Sequence, residues 1–264
     1  MPLTAEVLEK ASGVKLLCTN TTGFDRIDMK TATTMKITVA NTPGFSTEAV
    51  AEHVFALLLS VNRHIIEASL AVRARPFQIN PADQSHFKYL GFNLFGRTMG
   101  IIGLGAIGAH ASKIAHGFGM HVLGFNRSNK KIPNVDSVSL DVLLERSDVI
   151  SLHCPLNEQS KNLINAANIA KMKKDAIVIN TARGGCMVSE DLAIALNEGR
   201  LAGAGLDDLD IWDLENPLFK SANALITPHS AWFTAQALSK IGDIMTDNVK
   251  AFIEGRPQNI VSAR

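Results

Sequence analysis

Short apolar runs alternate with helix-length segments along most of this chain, and polar or glycine-containing turns separate them. Near the start, Val14 to Cys18 and Ile37 to Ala40 read as strands, and Thr4 to Ala11 and Ile27 to Thr34 as short helices. Asn41-Thr-Pro-Gly44 is a turn signal, after which Ser46 or Thr47 can cap a long helix running to about His64. That helix is apolar almost all round (Val50, Val54, Phe55, Leu57, Leu58, Leu59, Val61), which predicts burial between domains or subunits. The pattern weakens from Ile65 to Phe95. Arg73-Ala-Arg-Pro-Phe77 and Asn80-Pro81 break helix, and His86, Phe87, Tyr89 and Phe92 are scattered, so an irregular arm between two domains is expected, covered by a partner subunit.

Beyond the arm the alternation is regular. Strands are predicted at Met99 to Ile102, His121 to Phe125, Asp148 to His153, Ala176 to Asn180, Ala202 to Leu206 and Leu225 to Thr227. The helices are Ala109 to Phe118, Leu140 to Arg146, Asn165 to Met172, Ser189 to Glu198 and Ser230 to Ile253. Such alternation means an α/β fold with a doubly wound parallel (Rossmann) sheet. Right-handed crossovers then bring the loops after the strands to one edge, where Arg183, Asp207 and His229 each follow a strand.

The first βα turn carries chemistry. Gly103, Gly105 and Gly108 make G-x-G-x-x-G between a strand and a helix. Gly103 allows a tight turn, Gly105 lets a pyrophosphate approach the backbone, and Gly108 lets helix and strand pack closely. The helix N-terminus, with Ala106 and Ile107, offers free N–H groups and positive dipole to phosphates. A dinucleotide is therefore expected. NAD sites place an acid about 20 residues on, for the ribose hydroxyls. Here the second strand ends Gly124-Phe-Asn-Arg-Ser128, without one. Asn126 is neutral, Ser128 offers a hydroxyl, and Arg127 suits a 2′-phosphate, so NADP(H) is favoured, with NAD(H) possible.

Composition narrows the class. The 264 residues suffice for one or two domains, 46% are hydrophobic and 19% charged. A net charge of +1 gives no sign of a nucleic-acid partner. Cys18, Cys154 and Cys186 have neither metal nor disulfide spacing, which suits a cytoplasmic protein. No apolar run has membrane-spanning length, and the first residues do not read as a signal peptide, so no membrane partner is expected.

Several segments together resemble the D-isomer-specific 2-hydroxyacid dehydrogenases, in particular their glycerate dehydrogenase/hydroxypyruvate reductase branch. They are Thr21-Thr-Gly-Phe-Asp-Arg-Ile-Asp28, Asn41-Thr-Pro-Gly-Phe-Ser-Thr-Glu-Ala-Val-Ala-Glu-His53, the Gly103 to Gly108 turn, His153-Cys-Pro-Leu156, Asn180-Thr-Ala-Arg-Gly184, Gly203-Ala-Gly-Leu-Asp207, Ile226-Thr-Pro-His229 and Asn248 to Pro257. Ala231-Trp232 points to the glycerate branch. The resemblance implies a dinucleotide-binding domain at 67–234 with the arm at 65–95, and a smaller flavodoxin-like substrate domain at 1–66 and 235–264. It implies a homodimer and a 2-oxo or 2-hydroxy acid substrate such as hydroxypyruvate or glyoxylate. Arg183 then matches a substrate-binding arginine and His229 an acid/base histidine. Asp207, Cys154, Pro155, Thr181 and Ala182 match cofactor contacts, and Thr22, Gly23 and Phe24 the loop that holds the substrate carboxylate.

Two departures stand out. The family places a glutamate against its histidine, but counting from Arg183 puts Trp212 there, so Asp210, Asp213 or Glu215 is expected to substitute, with Asp213 named for the catalytic set. Family members also carry roughly one further βαβ unit before Leu3, so the substrate domain is expected to be N-terminally shortened, with Val14 to Cys18 at an edge. These departures keep a second reading open, a non-catalytic dinucleotide-binding protein derived from such an enzyme.

Overall fold

A computed structural model describes residues 2–74, 84–127, 131–221 and 223–262. By contacts the chain divides into a smaller unit, residues 1–47 with 232–264, and a larger one, residues 48–231.

In the smaller unit, β1 (Leu16–Cys18) pairs in parallel with β2 (Thr38–Ala40), and α1 (Ala5–Glu9) and α2 (Met29–Thr34) precede them in turn. Leu8, Ala32, Ile37 and Val39 form its core. Asp28 caps α2 by accepting from the Thr31 N–H at 2.9 Å. The long C-terminal helix Ala235–Ile253 is capped by Thr234, which is why it starts five residues later than its composition suggests. Its buried Asn248 donates to the Asn41 carbonyl (2.9 Å) and accepts from Asn259 (2.8 Å). Two polar side chains thus meet the hydrogen-bond demand of the strand end.

The larger unit is built on seven parallel strands: β3 (Thr98–Ile102), β4 (His121–Phe125), β5 (Asp136–Ser137), β6 (Val149–Leu152), β7 (Ile177–Asn180), β8 (Gly203–Leu206) and β9 (Ala224–Ile226). Their order is β5-β4-β3-β6-β7-β8-β9, so the winding reverses between β3 and β6. Every residue of β6, β7 and β8 is buried, as a sheet covered on both faces requires. The strand period of two divides them. Met99, Ile101, Ile177 and Ile179 face one apolar cluster, while Ile102, Val178 and Leu206 face the other. Only β5 escaped the sequence pattern, because two exposed polar residues carry no apolar signal.

The long helix α3 (Thr47–Asn62) buries Val54, Phe55, Leu57 and Leu58 in the cluster with Met99 and Ile177. A Cβ built on Gly205 would come within 2.8 Å of Leu57 Cβ, so the strand's missing side chain is what lets the helix approach. Residues 51–61, part of the stretch 1–66 assigned from sequence to the smaller domain, therefore make their apolar contacts in the larger unit. The arm is also more regular than expected, since it opens with a helix, Ile65–Ala74, and carries a 3-10 turn at Gln84–Tyr89. Good helix formers (Glu67, Ala68, Leu70, Ala71, Arg73) outweigh the missing one-sided stripe. Among the described residues no single helix is long and apolar enough to cross a membrane.

Candidate active site

The glycine turn follows directly on β3. Gly103 has φ +99°, and a Cβ there would lie 2.7 Å from the Cys154 nitrogen and the His153 carbonyl carbon. Two demands thus select glycine, a left-handed backbone and the loop after β6 pressed against it. Gly105 is different. Its φ is −71° and a Cβ would meet nothing within 4 Å, so no protein contact requires a glycine there. The open space is what an approaching phosphate needs. At Gly108 a Cβ would strike the Gly103 carbonyl, which locks helix against strand. The helix (Ala106–Gly117) begins three residues earlier than its apolar pattern indicates, so Ala106 and Ile107 lie in its first turn beside exposed Gly105.

This cradle sits at the β3/β6 switch point, where open α/β sheets bind ligands. Across it, the Thr181 hydroxyl is buried without a hydrogen-bond partner among the described residues. Burying a hydroxyl unmatched costs about 1–3 kcal/mol, and a bound dinucleotide is a source of the missing partner. The residues present therefore fit a dinucleotide. At the end of β4, Asn126 is half-buried and Arg127 exposed, with its guanidinium donating to Gln159 Oε1 at 3.1 Å. Ser128 lies outside the described residues.

The loop after β6 holds His153, Cys154 and Pro155. Desolvation lowers the His153 pKa to about 4, so the ring is neutral at physiological pH. Pro155 is pinned through its carbonyl by Ser160 Oγ at 2.6 Å. Cys154 Sγ lies 4.0 Å from Cys186 Sγ, and this contact holds the Cys186 thiol down while pushing that of Cys154 up.

After β7, fully buried Asn180 shapes the loop. Its Oδ1 accepts from the Ala182 N–H (2.9 Å) and its Nδ2 donates to the Arg183 carbonyl (2.8 Å). Arg183 has extended backbone and donates to the Ala182 carbonyl at 2.8 Å. A Cβ on Gly184 would run into the backbone of Leu209 and Asp210, so the β7 and β8 loops pack directly together.

β8 and β9 are neighbours, and their ends bring three further groups together. Asp207, with a side chain 3% exposed, accepts from Thr227 Oγ1 (2.5 Å) and the Ser230 N–H (2.9 Å) at Oδ1, and from the Ala231 N–H (2.9 Å) at Oδ2. Both of its oxygens thus hold the turn that carries His229. The His229 backbone is left-handed, with φ +54°.

The carboxylate beside the His229 ring is that of Asp208, with Oδ2 3.5 Å from Nδ1 and only 7% of its side chain exposed. The Asp208 hydrogen bond raises the His229 pKa above its ordinary value near 6.5. Desolvation opposes this, the charges of Asp208 and Asp207 reinforce it, and Arg183 opposes it. Sequence reasoning did not single out Asp208. The three acids it weighed serve the loop instead. Asp210 accepts from Ser189 Oγ (2.9 Å) and the Ile211 N–H (3.0 Å). Asp213, named as catalytic, is exposed and accepts from the Glu215 N–H at 3.0 Å. Glu215 pairs with Lys220 at 3.4 Å, and Trp212 is exposed. Each is drawn to a local donor, as short acidic side chains in turns are. The usable signal was two consecutive acids at the end of the strand adjacent to the one that leads to His229.

Thr22, Gly23 and Phe24 belong to the smaller unit. Their loop is held by Thr22 Oγ1 donating to the Thr42 carbonyl (2.9 Å) and Asn41 donating to the Thr22 carbonyl (2.7 Å). In the larger unit, a cavity of about 490 Å³ opens at the opposite edge of the sheet, near the strand starts. There burial alone would raise the Asp148 carboxyl, but the Thr98 N–H, Lys173 and Arg97 together hold it low. That edge carries a charge network rather than the groups described above.

Residues 55–231 match the family model for the NAD binding domain of D-isomer specific 2-hydroxyacid dehydrogenases. A hydroxypyruvate reductase of Blautia hydrogenotrophica is 38% identical over 99% of this chain and 82% of its own length. A glyoxylate reductase of Korarchaeum cryptofilum is 37% identical, with coverages of 99% and 80%. Among solved structures, an acyclic imino acid reductase in complex with NADPH and D-Arg superposes with TM-score 0.92 at 36% identity, covering 99% of this chain and 83% of that one. The D-lactate dehydrogenase of Aquifex aeolicus, complexed with NAD and lactic acid, gives 0.89 at 31% identity, with coverages of 99% and 84%. The glycine cradle, the Arg183 and His229 loops and this similarity over nearly the whole chain agree: the protein belongs to the D-isomer specific 2-hydroxyacid dehydrogenase family.

Proposed function

We propose that this chain transfers a hydride between NADP(H), with NAD(H) as the weaker cofactor, and a small 2-oxo or 2-hydroxy acid of the hydroxypyruvate/glycerate or glyoxylate class. The observation that carries the reading is His229, backed by Asp208 at Nδ1 and within the field of Arg183, on the strand edge that also bears the glycine cradle. Gly103 to Gly108, Asn126, Arg127, Cys154, Pro155, Thr181 and Ala182 would hold the cofactor, while Asp207 holds the turn that carries His229. Bound NADPH supplies the hydride for C2 of the oxo acid. The chain's own part is electrostatic and protonic. Arg183 binds the substrate carboxylate and polarises the carbonyl. His229, whose pKa Asp208 raises, gives its proton to the carbonyl oxygen. Thr22, Gly23 and Phe24 supply the loop for the carboxylate. The three free thiols suit a reducing cytoplasm.

The test is NADPH and NADH oxidation with hydroxypyruvate, glyoxylate and pyruvate, in the wild type and in Arg127→Asp. We expect turnover with NADPH preferred, and loss or reversal of that preference in the variant. An unchanged ratio would remove Arg127 from the recognition of the 2′-phosphate. NADPH binding with no turnover on any of the three acids would favour the non-catalytic reading.

The proposed dimer rests on the helix Ile65–Ala74. None of its side chains is buried within the chain, and Ile65, Ile66, Leu70 and Val72 are exposed, with Leu90 and Phe95 further along. Exposed apolar side chains in such number are what a second copy would cover. Light scattering should give twice the chain mass of 28.4 kDa, and Ile66→Glu with Leu70→Glu should shift it to one. A wild-type monomer at working concentration would contradict the dimer.

A further inference from the structure

His229 has a left-handed backbone, a strained conformation for a non-glycine residue that persists only where neighbours over-determine it. One hydrogen-bonded chain leads from α3 to this turn. His53 Nε2 lies 3.2 Å from Thr227 Oγ1, and Thr227 Oγ1 lies 2.5 Å from Asp207 Oδ1. A hydroxyl has one proton, and a carboxylate only accepts. The Thr227 proton therefore goes to Asp207, and the bond from His53 must be Nε2–H donating to Thr227. The partners thus place a proton on His53 Nε2. The direction then runs His53 to Thr227 to Asp207, and Asp207 takes the Ser230 and Ala231 N–H groups that follow His229. Thr227 closes the other side, because its carbonyl accepts the His229 N–H at 2.9 Å.

We infer that His53 and Thr227 are positioning residues for His229: they orient the Asp207 carboxylate, which clamps the left-handed turn and so aims the imidazole. Without the His53 donor, the Thr227 hydroxyl loses the partner that fixes its rotor. Without that hydroxyl, Asp207 faces the turn with one bond fewer, and the strained backbone relaxes. The inference deepens the functional reading above and rests on it for its kinetic consequence.

Four variants test it. Thr227→Val and His53→Leu remove one link each at similar volume, while Thr227→Ser and His53→Gln keep the hydroxyl and the N–H donor. We expect the first two to lower kcat about tenfold with the KM for NADPH little changed, since misplacing a reacting group costs rate rather than binding. Thr227→Ser and His53→Gln should recover most of the loss. The double variant Thr227→Val/His53→Leu should be no slower than Thr227→Val alone. Full kcat in Thr227→Val, a loss seen only in cofactor KM, or no rescue by serine would overturn the inference. A wild type without turnover would instead remove the functional reading. The clamp is then decided by the backbone amide spectrum of Thr227→Val, in which shifted resonances at His229, Ser230 and Ala231 are expected and an unchanged spectrum overturns it.

Discussion

With His229 replaced by asparagine, reduction of a 2-oxo acid should slow by about 10²–10⁴-fold, the range for a lost general acid. Asparagine is the informative choice. Its side chain tolerates the left-handed backbone that His229 adopts, whereas alanine would add strain at the same position. The Asp207 clamp should therefore survive, and the loss belongs to the proton rather than to the turn. Asparagine cannot deliver a proton in the neutral range, so a residual rate would reflect Arg183 and positioning alone. NADPH affinity should change little, because the glycine cradle and Thr181 stand on other loops. Full kcat in His229→Asn would remove His229 from the chemistry. A collapse of NADPH binding would move it to cofactor binding.

Much of this arrangement was legible in the residues. The β3, β4, β6, β7, β8 and β9 runs declare themselves because a sheet covered on both faces needs continuous apolar strands. The glycine triplet declares its turn because the left-handed backbone at Gly103 and the close contacts at Gly103 and Gly108 exclude other residues. What stayed hidden depends on local hydrogen bonds rather than burial. The loop after β8 carries Asp207, Asp208, Asp210, Asp213 and Glu215 within nine positions, and counting from Arg183 cannot tell which of them a turn will consume. Ser189 Oγ takes Asp210, the Glu215 N–H takes Asp213, Lys220 takes Glu215, and Asp208 is left facing the imidazole. The arm helix was hidden differently. Ile65, Ile66, Leu70 and Val72 point outward within the chain, so their spacing does not mark an inward face. His53 was visible only as part of a motif. Its link to Thr227 joins residues 174 positions apart, and no local pattern announces such a contact.

Replacing Asp208 by asparagine should move the alkaline limit of the reductive reaction to lower pH. Reduction needs protonated His229, so the rate falls as pH rises through its pKa. The Asp208 hydrogen bond comes first among the influences that hold that pKa above its ordinary value near 6.5. An amide at the same position keeps the shape and drops the charge. What remains is desolvation and the Arg183 charge, both lowering the pKa, against the Asp207 charge alone. The limb should therefore move down, and kcat/KM at a pH above both pKa values should fall about tenfold for each unit it moves. The oxidative direction needs neutral His229, so its rising limb should move down as well, and oxidation near pH 6 should be faster in the variant. A lesion in folding alone would slow both directions. Stability gives a weaker signal of the same sign. A histidine whose folded pKa is raised stabilises the protein below about pH 6.5, and that contribution is lost as pH rises through the folded value. The ring is 45% exposed, so solvent screens the pair and melting temperatures should hardly separate the two proteins. Asp213→Asn is the matched control. Its carboxylate caps the Glu215 N–H, and it should leave both limbs in place. If Asp213→Asn moves them and Asp208→Asn does not, the assignment of the carboxylate that serves His229 is reversed.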